Sequence, residues 1–243
     1  MKTTINPMLI SFLLLAALSL NACEKDDNIV KDSDGNSYRT VKIGTQTWMA
    51  ENLKTTTYND GTPIFNITMR EEWATLERPG YCEYNNDESN ANKYGRLYNW
   101  YAVETGKLAP KGWHVPSKED WDKLINYLIE NGYNYDGTTS GNKIAKSLGD
   151  PKDWNDSGYE GTLGSQDYPA MDNKTHFNAL PSGIRQWEFR GQGYEGHLWS
   201  STVCNINPSM PTAYYLLLDY RLSNAIVEYN IKYSGMAVRC IKD

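Results

Sequence analysis

The sequence predicts a loop-rich α+β domain, on three observations. Lys118 to Asn131 repeats apolar residues at helical spacing, the C-terminal third alternates as strands do, and the helical candidates precede those strands instead of interleaving with them as βαβ units would. Eight Trp and 18 Tyr against 4 Phe further point to a core of amphipathic aromatics whose polar tips seek hydrogen-bond partners.

Taken in order, Phe12 to Leu20 is apolar apart from Ser19 and leads through Asn21 and Ala22 to Cys23, with Lys2 near the start. This is the pattern of a lipoprotein signal, so residues 1–22 are expected to be removed and Cys23 to carry lipid. The run is short for a bilayer span, and the expected link to the membrane is therefore acyl chains on Cys23 and not a helix. Residues 23–31 read as the lipidated cysteine and a polar tether, in which Lys25-Asp26-Asp27 resembles the surface-export signal of Bacteroidota-type lipoproteins. The expected location is the outer membrane, lipid-anchored and exposed at the cell surface, with the folded domain over 32–243.

Within that domain, Asp34-Gly35 predicts a turn before a half-buried strand at Tyr38 to Ile43. Asp32 to Asn36 also has the look of a calcium loop but lacks the distal bidentate Glu, which leaves the turn. Tyr94 to Val103 and Gly141 to Leu148 are shorter helical candidates. The strongest helix is Lys118 to Asn131: Ser117 caps it with Asp120 three residues on, Gly132 stops it, and Trp121, Leu124, Ile125, Leu128 and Ile129 form one apolar stripe. Strands are expected at Ala213 to Tyr220, Asn224 to Tyr229 and Met236 to Ile241.

Charge and composition exclude several functions. The chain holds 24 Lys and Arg against 30 Asp and Glu, a net charge of −6 that becomes one unit more negative when Lys2 leaves with the signal. Nucleic acid is therefore disfavoured as a partner. His114, His176 and His197 lie far apart and no CxxC pair exists, so no metal or other cofactor is expected. Beyond Cys23 the cysteines are Cys82, Cys204 and Cys240, an odd number that permits at most one bridge. No Gly-x-Ser-x-Gly elbow or recognisable triad is present, and no catalytic residue is assigned.

Several motifs now line up: Tyr38 to Gly44, Gln46 to Leu53, Tyr94 to Trp100, Gly112 to Ser117 with Trp121, Phe177 to Gly183, Trp199 to Thr202, and Val238 to Cys240. Together they resemble the Fibrobacter succinogenes major paralogous domain. The resemblance implies a C-type-lectin-like domain, with two main helices and a mostly antiparallel twisted sheet, on exported and often lipid-anchored proteins, and it implies no reaction. It also implies a disulfide between Cys82 and Cys240, with Cys204 an extra thiol. Read from their chemistry, Gly112-Trp113 and Trp199 to Thr202 are architectural. Trp154-Asn155-Asp156 matches the second calcium motif of true C-type lectins, but the Glu-Pro-Asn partner motif is missing, so calcium is expected to be dispensable.

Trp187 departs from the family pattern. With Arg185, Arg190, Tyr194 and His197 nearby, it marks the expected ligand face within the loop-rich span from Trp154 to Pro211. The expected function is a non-catalytic surface binding module for a glycan or a surface protein. A structural subunit of a fimbria or surface complex is the alternative, and a formylglycine-generating type of enzyme using Cys204 and Cys240 is a remote one. A binder should gather exposed aromatics on a loop-rich face, whereas a subunit should offer a flat patch or an unpaired strand edge.

Overall fold

Turn chemistry opens the fold. Gly35 stands at a φ of +84°, and the Asp32 carboxylate accepts hydrogen bonds from the Asp34 and Asn36 amides (3.0 and 2.9 Å), so β1 (Ile29–Lys31) folds back antiparallel on β2 (Ser37–Ile43). The computed structural model describes residues 28–206 and 209–243; the signal peptide 1–22, Cys23 and residues 24–27 lie outside the described residues. Ile29–Lys31, expected in the tether, is therefore a strand of the domain, because Val30 packs against the core from across β2.

The chain continues through β3 (Gln46–Met49), α1 (Arg70–Trp73), β4 (Tyr81–Cys82), α2 (Ser89–Tyr94), β5 (Leu97–Tyr98), α3 (Trp100–Glu104), β6 (Trp113–His114), α4 (Lys118–Glu130), α5 (Ala145–Leu148), β7 (Ser182–Arg185), β8 (Phe189–Gln192), β9 (Glu195–Cys204), β10 (Thr212–Asp219), β11 (Ile226–Ile231) and β12 (Ile241–Lys242). One five-stranded sheet has the order β1-β2-β3-β12-β6, the other β11-β10-β9-β7-β8, and β4-β5 is a separate ribbon. All these strand pairs are antiparallel except β7 with β9. The architecture is thus mixed α/β with mostly antiparallel sheets and few helices. Where two main helices and one sheet were expected, α4 is the one long helix among the described residues, at 13 residues, and the sheet is divided in two.

Helix α4 forms as its sequence dictates. Ser117 Oγ accepts from the Asp120 amide (3.1 Å) and the Asp120 carboxylate accepts from the Ser117 amide (2.9 Å), a reciprocal cap that satisfies two otherwise orphaned donors. Burial works to raise the Asp120 pKa, but the hydrogen bonds from Ser117 win and hold it below its ordinary value. The apolar stripe buries Trp121, Leu124, Ile125 and Leu128, and the Trp121 ring stacks on Trp48 at 4.7 Å with Phe177 edge-on to both. Thr202 Oγ1 accepts from the Lys118 amide (2.9 Å), so the Trp199 to Thr202 motif serves the helix start as well as the core.

The other helical expectations are corrected. Tyr94 to Val103 breaks into α2, β5 and α3: Gly95 has φ +79° with Asn52 so close that a Cβ would lie 2.6 Å from it, and Asn99 caps a new helix by accepting from the Ala102 amide (3.1 Å). Only the last turn of Gly141 to Leu148 is helical, since Asn142 spends its amide on the backbone of Ala225 (2.7 and 3.2 Å). The stretch Met236 to Cys240 is extended but changes partner repeatedly, from Tyr98 to the 197–199 segment, Leu53 and Met49, before β12 proper begins.

The Cys82–Cys240 bridge is not formed. Cys82, Cys204 and Cys240 are free and buried; Cys82 packs with Trp73 and Leu97, while Cys240 packs in a different cluster with Tyr38, Met49 and Trp199. The aromatic core meets its polar needs in part. Trp199 donates to the Tyr98 carbonyl (2.9 Å) and Trp100 to that of Ser200 (2.8 Å), whereas the indole N–H groups of Trp48, Trp73 and Trp121 have no protein partner among the described residues.

Arg239 ties these parts together. It is 1% exposed, lies 4.3 Å over the Phe177 ring, and donates to Asn52 Oδ1 from Nε (3.1 Å) and Nη2 (2.6 Å), to the Asn178 carbonyl (3.2 Å) and to that of Phe177. Arg239→Lys keeps a charge but loses the planar fork, and is expected to cost about 3 kcal/mol or more by leaving buried acceptors unpaired. Ser117→Ala removes a single exposed-end cap and should cost about 1 kcal/mol. Denaturant melts of the two variants check both magnitudes and their order.

Candidate ligand-binding face

The hairpin β7–β8 carries most of the residues singled out from sequence, and it separates them. Arg185 is not available to a ligand: it is 2% exposed, with its guanidinium between the rings of Trp73 (4.5 Å) and Phe189 (4.7 Å). It donates to the carbonyls of Ile67 (2.7 Å) and Thr68 (2.9 Å) and to Asn86 Oδ1 (3.2 Å). This corrects its role to an architectural one, in which it holds the 67–68 backbone beside the hairpin.

That clamp sets the surroundings of Trp187. The indole sits at the hairpin tip, 49% exposed, with the Arg70 guanidinium 4.6 Å from its ring, and Arg70 in turn pairs with Glu188. Met69 beside Arg70 is 63% exposed. Phe65, equally exposed, lies earlier in the same segment under the guanidinium of Arg78 at 5.1 Å. Exposed rings backed by cations on irregular backbone form one candidate platform.

Arg190 and Tyr194 lie toward the other end of β8 and come together in a pocket of about 230 Å³ with Gly191, Glu195, Tyr220 and Arg221. Gly191 and Gly193, at φ +79° and +85°, allow the tight turn from β8 to β9, closed by the Tyr194 amide donating to the Gly191 carbonyl (2.9 Å). The Tyr220 amide donates to the Tyr194 carbonyl (2.9 Å), which sets the two rings edge to face at 5.1 Å. Arg221 lies 5.2 Å from the Tyr220 ring and is held by Asp219 (3.4 Å).

His197 does not face this pocket. It is 4% exposed, and its Nε2 lies 3.0 Å from Glu195 Oε2, so it acts behind the carboxylate that does. The hydrogen bond with His197 is the main cause holding the Glu195 pKa below its ordinary value, against desolvation and with help from Arg190 and Arg221. Glu195 is therefore an acceptor at neutral pH. Two tyrosine rings, two guanidinium donors and one carboxylate acceptor make a surface able to stack on a small ring and hydrogen-bond its edge.

Glu195, Tyr220 and Arg221 were not singled out from sequence. The strand period offered a signal for the first, because residues 195 and 197 share a face. Trp154-Asn155-Asp156 supports the pocket from below: Trp154 is buried and the Asn155 amide donates to the Gly193 carbonyl (2.8 Å). Among the described residues, no group of three or more His, Cys, Asp or Glu is placed to hold a metal ion, and no helix is long and apolar enough to cross a membrane.

The fold is thus a mixed α/β domain of mostly antiparallel sheets that carries exposed rings on its loops. The model of the Fibrobacter succinogenes major domain family matches residues 41–242, and the chain belongs to that family. No curated protein and no solved structure matches it.

The two roles assigned along the hairpin predict opposite behaviour. Trp187→Ala should change stability by no more than about 0.5 kcal/mol, and should remove a fluorescence component that iodide quenches in the folded protein. Arg185→Ala is expected to destabilise by about 2–4 kcal/mol, as buried carbonyls and an amide oxygen lose their donor.

Proposed function

We propose that this protein is an exported binding module, anchored by lipid on Cys23 in the outer membrane and displayed at the cell surface, that recognises a polar ligand of the glycan or protein class without catalysis. The observation that carries this reading is the tyrosine pocket, where Tyr194 is 46% exposed beside Tyr220 and is flanked by Arg190, Arg221 and an ionised Glu195. Exposed rings elsewhere also sit on loops, Trp187, Phe65 and Tyr159 among them. The finer architecture is read as C-type-lectin-like, supported by early and late strands meeting in one sheet with a long loop excursion between them. A formylglycine-type chemistry has little to support it, because Cys204 and Cys240 are buried and burial pushes the Cys240 thiol well up.

A structural subunit is the second reading, and β11 favours it. Among the described residues this strand ends its sheet and pairs only with β10, and it bears Tyr229 at 47% exposure. An edge of this kind can accept a strand from a neighbouring chain.

A glycan array probed with the fragment Glu24 to Asp243 tests the first reading. A hit should weaken by about 1–3 kcal/mol on Tyr194→Ala, with the melting temperature preserved; no hit together with polymerisation through β11 would favour the subunit. For the anchor, Cys23→Ala is expected to release the protein from membranes or leave it uncleaved, read by detergent partition and intact mass.

A further inference from the structure

A second polar region lies apart from the tyrosine pocket. A cleft of about 340 Å³ opens between β2, the 50–54 segment, the end of α2 and the loop at 178–180. It shares Arg39, Ala50 and Asn178 with a groove of about 640 Å³ beside β2, so the two run together as one trough. Five cationic residues border it, Arg39, Lys42, Lys54, Lys93 and Arg239, against two acids, Glu51 and Asp150. That local excess is opposite in sign to the chain as a whole, which carries −6.

The excess is built in below the surface. Arg239 is buried with only neutral oxygens for partners, and among the described residues no carboxylate pairs with it. Its charge is therefore projected through low-dielectric walls toward the trough. Glu51 at the rim is shared between Arg39 (3.1 Å) and Lys54 (3.9 Å) and cannot neutralise both together with Arg239. Lys93 does have its own acid, Asp153 at 2.5 Å. Asn28 and Asn92, one in each half of the trough, have side-chain amides with no hydrogen bond among the described residues.

We infer that the trough binds a segment of acidic polysaccharide, a run of uronate-type sugars. Carboxylates would meet Arg39, Lys42 and Lys54, while ring hydroxyls would meet the Asn28 and Asn92 amides, each of which offers both donors and an acceptor. The net negative charge acts at long range and is screened beyond about 8 Å at physiological salt, whereas the rim cations act at contact. A polyuronate carries one charge per sugar, sparser than the charge of duplex nucleic acid at one per ~1.7 Å, and so suffers less from the acidic surround. An acidic peptide would meet the same cations and could serve the two amides through its backbone, so oligoglutamate is the competitor that the test must separate from the sugar. The inference is independent of the tyrosine pocket.

The test is fluorescence anisotropy of a labelled galacturonate oligomer with the mature lipidated protein in detergent micelles, alongside a neutral galactose oligomer and oligoglutamate of equal length. Arg39→Gln combined with Lys42→Gln removes two exposed charges and is expected to weaken uronate binding at least about fivefold. Lys111→Gln combined with Lys123→Gln removes the same net charge elsewhere and should change it less than about twofold. Binding should also fall as salt rises to about 0.5 M, and the neutral oligomer should not bind. Failure of the uronate to bind, equal loss in the two double variants, or oligoglutamate binding as tightly as uronate would each overturn the proposal.

Discussion

The guanidinium of Arg239 is the contact on which the rest of the structure depends. It reaches Asn52, whose own amide donates to the Tyr94 carbonyl (2.8 Å), and it reaches the backbone at Phe177 and Asn178. Three of the motifs that carry the family resemblance thereby meet at one side chain, and Asn52 ties in a fourth through Tyr94. A buried cation without an acid is costly to desolvate, and burial lowers the Arg239 pKa to about 9. The compensation comes from fixed carbonyl and amide dipoles and the Phe177 face, which must all be in place at once. This makes the interaction a device for specifying one arrangement more than a source of net stability.

What was legible in the sequence was what local chemistry decides. The limits and apolar face of α4 follow from Ser117, Asp120 and a single stripe, all within one short window. The Asp32 turn and β2 were readable for the same reason. The break within Tyr94 to Val103 was hidden because Leu97, Trp100 and Tyr101 do fit helical spacing; it is Asn52, far away in sequence, that crowds Gly95 out of a helix. Arg185 looked like a loop donor beside Trp187, and only the placement of Trp73 and the 67–68 backbone makes it internal. The cysteine pairing came from resemblance and had no geometric warrant in this chain. Half of the tyrosine pocket escaped notice because Tyr220 and Arg221 come from the end of β10, brought to Tyr194 by sheet pairing.

The division of labour along β8 follows from these constraints. Arg185 and Phe189 are committed inward near the Trp187 end, and Glu195 with His197 form a rigid support at the other, leaving solvent-facing rings on backbone that is itself well held. A ligand of the proposed kind would meet pre-set positions there, which would limit the entropy lost on binding.

The position of β12 has a consequence for how this chain acquires its shape. Residues 241–242 come near the end of the sequence yet lie between β3 and β6 in the first sheet, with Ile241 opposite both Trp48 and His114. Until they are available, β3 and β6 have no common neighbour, and Arg239, two residues earlier, cannot join its partners from the first and last thirds of the chain. A polypeptide that emerges amino end first therefore cannot complete this domain vectorially, and its high contact order favours slow, late closure. Closure of the first sheet and seating of the buried guanidinium are therefore one event, which joins segments from both ends of the domain at once.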